Sequence, residues 1–258
     1  GARRGAGGVG LAGWRASGFA GGRGAGGSRT LAAKIKAIGA RLLQEAEEDV
    51  TLQGGFVRST TSRISVADIA RAANIRPELL PAGVTPGLEA TQTYEPPESG
   101  GVFSYGVHTV TLLSHPVTGV TEIIDYVIVE DCGNLINPMI VDGQIIGGVA
   151  QGIGTALYEE LPYDDNGQPI ATTFGDYMIP CAPEIPNFRI KHMVTPAEST
   201  EFGVKGMGEG GAIAPPAAIA NALNDAYRDC GAKFLVTPMT PRRVSDTVAD
   251  ALAHEAAE

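Results

Sequence analysis

A glycine-dense stretch, Gly203-Val-Lys-Gly-Met-Gly-Glu-Gly-Gly211, runs directly into the apolar segment Ala212–Ala226. Nothing else in the chain limits its fold as tightly. Glycines reach dihedrals closed to other residues and let backbone approach a ligand. Free N–H groups of such a loop, and of the helix it opens, attract an anion. The stretch carries five glycines and one carboxylate, Glu209, between Gly208 and Gly210. A carboxylate would repel a phosphate, so a pure phosphate cradle fits poorly; an acid acting beside a bound anionic cofactor fits better. The plain alternative is a surface turn with a solvated glutamate. Gly206, Gly208 and Gly211 also spell G-x-G-x-x-G. That pattern should follow a strand and open a βαβ unit. Here it follows the irregular Pro196–Phe202 with too little chain left for a doubly wound domain, so a dinucleotide fold is excluded.

The 258 residues suffice for one large domain or two small ones. A net charge of −10 argues against non-specific nucleic-acid binding. No apolar run reaches the length of a membrane span, and the N-terminus lacks the apolar core of a secretory signal. Cys132, Cys181 and Cys230 are scattered, which fits a reducing compartment, with cytoplasm as the default, and offers no cluster motif.

Residues 1–29 are mostly Gly, Ala and Arg without hydrophobic period and are expected to be disordered or foreign to the rest. Leu31, Ile35, Ile38, Leu42 and Leu43 predict an amphipathic helix over 31–47 with an acidic tail. Residues 50–57 read as a small hairpin about Gly54-Gly55, and Ser65 caps a short helix to Ala73. The Pro-rich span 77–100 closes a small α+β segment, 30–100, as a linker or crossing segment. In the remaining portion, 101–258, residues 107–114 and 120–129 read as a hairpin. Gly143–Leu157 reads as a helix despite five glycines, each costing about 1 kcal/mol relative to Ala. Backbone there must pack close to something, either another helix or a cofactor beside Gln151. A turn at 163–169, a strand at 188–194, the helix of 215–229 and a last helix begun by Thr240-Pro241 complete the reading.

Four separated words, Asp131-Cys-Gly-Asn-Leu-Ile-Asn-Pro138, Gly143-Gln-Ile-Ile-Gly-Gly-Val-Ala-Gln-Gly-Ile-Gly154, Asp176-Tyr-Met-Ile-Pro180 and the Glu209 loop, resemble in order and spacing the molybdenum hydroxylases. These are the xanthine dehydrogenases, aldehyde oxidases and aerobic carbon monoxide dehydrogenases, and the resemblance is to their molybdopterin-binding large subunit over about 30–245. It implies an α+β fold with mixed sheets and flanking helices. It also implies that Glu209 is the catalytic base in a reaction adding water-derived oxygen to substrate at a molybdenum centre. Partial burial, which raises a carboxyl's proton affinity, would suit such a base. Lys205, Gly206, Met207 and Gly208 match the loop touching the cofactor, Gln151 the glutamine near the pterin, and Asp131 a polar cofactor contact.

The implied cofactor is Mo-molybdopterin in its cytosine dinucleotide form. The implied partners are an iron–sulfur subunit carrying [2Fe-2S] and an FAD subunit, since no cysteine motif here holds a cluster. The family's upstream half, with its Met-Gly-Gln-Gly motif and substrate-recognising loop, is absent. The chain is therefore expected to be the C-terminal part of a large subunit, truncated or split, with little turnover alone. The alternative is a non-catalytic product that folds and docks partners.

Overall fold

The computed structural model describes residues 16–94 and 102–255. They form two compact units, built on Phe19–Pro96 and on Pro97–Glu258. No helix among the described residues is long and apolar enough to cross a membrane.

In the first unit, helix α1 spans Ala16–Leu43, starting well before the periodic stretch that predicts it. Residues 16–29 are helical where composition predicts disorder; residues 1–15 lie outside the described part. Once the periodic half has formed, each added residue gains one hydrogen bond without a new nucleation cost. Ile35, Ile38 and Ala40 are buried, and Gly39 leaves room for Val57, whose side chain lies 2.8 Å from where a Cβ would stand. The helix ends four residues before the predicted 47. Gln44 turns into the left-handed region (φ 60), and Glu47–Asp49 form a separate 3-10 turn. Acidic residues oppose the negative end of a helix dipole, which explains the early stop.

Strands β1 (Thr51–Gln53), β2 (Phe56–Arg58) and β3 (Arg63–Ser65) form an antiparallel sheet, the predicted hairpin plus a third strand too short to announce itself. Gly54 and Gly55, both at positive φ, make its first turn. Ser65 then caps α2 (Val66–Ile75), accepting from the Asp68 N–H. Of the Pro-rich span, Pro77–Leu79 form a 3-10 turn, and 95–100 lie outside the described residues.

The second unit is organised by a mixed sheet. Strand β4 (Tyr105–Ser114) pairs antiparallel with β5 (Thr121–Asp131), and β5 pairs parallel with β6 (Phe188–Met193). A parallel partner needs a long crossover, and α3 (Pro138–Leu157) lies within it. Tyr126 and Ile128 pack on Ile145, Val149 and Ile153 of α3 and on Ile219 and Leu223 of α5 (Pro215–Ala226). Beneath that face His108 is hydrogen-bonded to Tyr126 (3.0 Å) and to Glu130 (3.2 Å). A Cβ on Gly106 would stand 2.6 Å from the Glu130 carboxyl, so glycine makes room for this buried acid. The predicted helix of 215–229 stops at Ala226; Arg228–Cys230 are 3-10 and Gly231 reverses the chain at φ 73. The last helix, α6 (Pro241–Glu255), begins at Thr240-Pro241 as predicted.

Candidate functional site

The Glu209 loop is fastened at both ends. At its start, Gly133 and Val204 form an antiparallel bridge. Lys205 N–H donates to Cys132 O (2.8 Å), and Asn134 N–H to Gly203 O (3.0 Å). Gly133 is required, being at φ +70 with Gly203 O only 2.2 Å from its would-be Cβ. Lys205 Nζ donates to Asp131 Oδ1 at 3.1 Å, with side chains 8% and 0% exposed. The same oxygen accepts from Gly133 N–H (2.9 Å) and Thr195 N–H (3.2 Å). Oδ2 is buried and makes no hydrogen bond among the described residues. Burial raises the proton affinity of Asp131, but the bonds from Thr195, Gly133 and Lys205 outweigh it and hold the carboxyl well below the usual carboxylate range. The Lys205 ammonium also lies 4.6 Å from the Tyr105 ring centre. Burial, with Glu130 and Asp131 nearby, pushes the Cys132 thiol up, so it is a neutral core residue.

Further along, Met207 is buried in the core with Ile145. Gln144 Nε2 donates to Gly208 O at 3.4 Å. Gly211 lies under α3, where a Cβ would meet Ile145 O at 2.7 Å. Between Met207 and Gly211 the backbone carries Glu209, at φ −127 and ψ 0, ahead of the short helix α4 (Gly210–Ile213). Its side chain is exposed, not partly buried as the resemblance led one to expect. The helix-end anion site expected here is weak. Helix α4 is a single turn, and α5 opens with Pro215-Pro216, which offer no N–H.

The glycines of α3 divide by side. On the packed side, Cβ atoms on Gly148, Gly152 and Gly154 would come within 3.0 Å of Ala212, 2.6 Å of Pro215 and 2.1 Å of Glu159. On the other side, Gly143 and Gly147 meet nothing within 4 Å. Of the alternatives left by the sequence, helix packing is met on one side of α3, while its other side is open. Ile140, Gln144, Gly147 and Gln151 repeat at helical spacing and are all exposed, forming one open stripe. Gln151 lies on it about 10 Å along the axis from Gln144. Sequence reading singled out Gln151 and passed over Gln144, the glutamine that reaches the loop. The signal was present, since the two stand seven residues apart on one face. Asp131 and Lys205 thus meet at the end of β5, Met207 and Gly208 lie against α3, and Gly206 stands between these two anchored points.

Residues 7–186 match the molybdopterin cofactor-binding domain family. The chain is a member of the molybdenum hydroxylase family. The match opens inside the segment that composition sets apart. The chain is 43% identical over 244 residues to the nicotine 6-hydroxylase large subunit of Paenarthrobacter nicotinovorans, covering 93% of this chain and 30% of that protein. It is 33% identical over 220 residues to the carbon monoxide dehydrogenase large chain of Hydrogenophaga pseudoflava, covering 84% and 27%. Quinoline 2-oxidoreductase from Pseudomonas putida 86 superposes with TM-score 0.75 at 38% identity, covering 86% of this chain and 28% of that one. A Cu,Mo-CO dehydrogenase superposes with TM-score 0.80 at 29% identity, covering 96% and 31%. The chain therefore spans about a third or less of the length of these molybdenum hydroxylases.

Proposed function

We propose that this chain forms the base-bearing wall of the molybdopterin site in a molybdenum-dependent oxidoreductase large subunit. The observation that carries the reading is the anchored Glu209 loop lying against α3, whose open stripe is bare of side chains at Gly143 and Gly147. The residues present fit a pterin. Gly143 and Gly147 would let a flat ring approach helix backbone, and the exposed Gln144 and Gln151 amides would hold it by donating and accepting hydrogen bonds. Gly206 and Gly208 leave loop backbone accessible on either side of Met207. Bound molybdopterin, here in the cytosine dinucleotide form, would supply the redox centre at which water-derived oxygen reaches the substrate. Glu209 would act as the general base there, taking up a proton on its carboxylate. Groups of the [2Fe-2S] and FAD type on two partner subunits would supply the electron exit, in the cytoplasm.

The two relatives at 43% and 38% identity are named for nicotine and quinoline, both N-heteroaromatic. We assign this chain the same substrate class. Exposed Glu209 favours a second reading for the isolated chain, a folded piece without turnover: the wall that would enclose the base belongs to the rest of a large subunit. The test is co-production with the remaining portion of a relative's large subunit and both partner subunits. Dye reduction with quinoline and nicotine should appear, with molybdenum near one per complex, and Glu209→Gln should lower kcat by at least about a hundredfold. Full activity in that variant would remove Glu209 as the base, and a complex without molybdenum would favour the non-catalytic reading.

A further inference from the structure

We propose that Asp131 and Lys205 are positioning residues, a buried ion pair that fixes the Glu209 loop on the end of β5, and not contacts to the cofactor. The inference rests on Glu209 being the base. Both side chains are covered, at 0% and 8% exposure, so neither presents its charge at the surface of this chain. Lys205 is attached twice over, by its backbone N–H to Cys132 O and by Nζ to Asp131 Oδ1. A lysine held at both ends, to the last residue of β5 and to the residue that follows it, cannot slide along the chain there. The pair also sits where three strands end. In register, Asp131 faces Tyr105 of β4 on one side and Met193 of β6 on the other. Tyr105 covers the ammonium and its hydroxyl is hydrogen-bonded to Thr195 Oγ1 at 3.2 Å, while Thr195 N–H donates to Asp131 Oδ1. One carboxylate oxygen thus joins the end of β5, the segment after β6 and the base-bearing loop.

The loop needs such a clamp because of its composition. Gly206 and Gly208 have no side chains with which to hold position, and glycine loses more freedom on ordering than any other residue. Among the points where the loop is fixed, Lys205 is the one held by charge. A misplacement of about 1 Å in a reacting group costs up to a hundredfold in rate. Removing Lys205 would also leave the Asp131 charge buried without its cation, which is far more costly than losing an exposed pair.

Amide hydrogen exchange on the 258-residue chain tests this without requiring turnover. Lys205→Met should speed exchange across Gly203–Gly211 by about tenfold or more, while peptides of α5 and α6 keep wild-type protection. Lys205→Arg should restore most of the protection, because it keeps the charge and reach. Asp131→Asn, which retains an acceptor for Gly133 and Thr195, should loosen the same peptide to a smaller degree, and it carries the test if Lys205→Met does not fold. Wild-type loop exchange in folded Lys205→Met, or in Asp131→Asn where Lys205→Met cannot be made, overturns the proposal. So does an Arg variant no better than Met. Loss of pterin from an assembled Asp131→Asn complex with an unchanged loop also overturns it, and returns Asp131 to the cofactor. Glu209→Gln should leave exchange unaltered, so failure of the base and failure of the clamp appear in different measurements.

Discussion

Replacing glycines of α3 and its partner loop one at a time by alanine should split them by the direction each one faces. At Gly147 a new methyl meets nothing within 4 Å. Only the intrinsic preference of the helix for alanine then acts, and the variant should gain about 0.5–1 kcal/mol. At Gly152 the methyl would stand 2.6 Å from Pro215 Cγ and 3.0 Å from Ala212 O, where the backbone cannot swing aside. At Gly211 it would stand 2.7 Å from Ile145 O. Overpacking of this kind costs about 1–3 kcal/mol, which outweighs the helical gain. The two groups should therefore lie about 1–3 kcal/mol apart, a shift in urea midpoint on the order of 1 M for typical slopes, with the slope itself unchanged. Gly147→Ala should also lower pterin content in an assembled complex although the protein is more stable. A Gly147→Ala variant as destabilised as Gly152→Ala would refute the reasoning, because the stripe would then be covered within this chain.

Two further outcomes follow from single groups. The Asp131 carboxyl is held below its usual range in the folded state, so its ionised form stabilises the fold fully above the unfolded value of about 4. That contribution should be flat from about pH 5 to about pH 8 when followed by urea midpoint. It should fall away only as pH drops below about 4 towards the lower folded value, and Asp131→Asn should flatten the acid limb. Asn224 brackets Phe234, accepting from its N–H and donating to its C=O at 2.9 Å each. Asn224→Ala should cost about 1–3 kcal/mol by the same measurement, well beyond a surface substitution.

Much of this was legible along the chain because the controlling forces are local. Ser65 caps α2 through Asp68, three residues on; the β4–β5 hairpin follows from alternating β-branched residues, and Thr240-Pro241 starts α6. The four motif words carry the family resemblance in sequence alone. Residues 16–29 were misread because glycine and alanine carry no periodic signal, yet a helix begun further along extends through them.

What tertiary structure alone decided is which way each residue faces. Five glycines in one helix look alike in sequence, but two face open space and three face neighbours outside the helix. Asp131 and Lys205, 74 positions apart, meet only because the loop returns to the end of β5. Gln144 rather than Gln151 reaches that loop, and Glu209 stands exposed, for the same reason. Periodicity and caps act over a few residues, whereas burial and charge pairing depend on what the fold brings back from far along the chain.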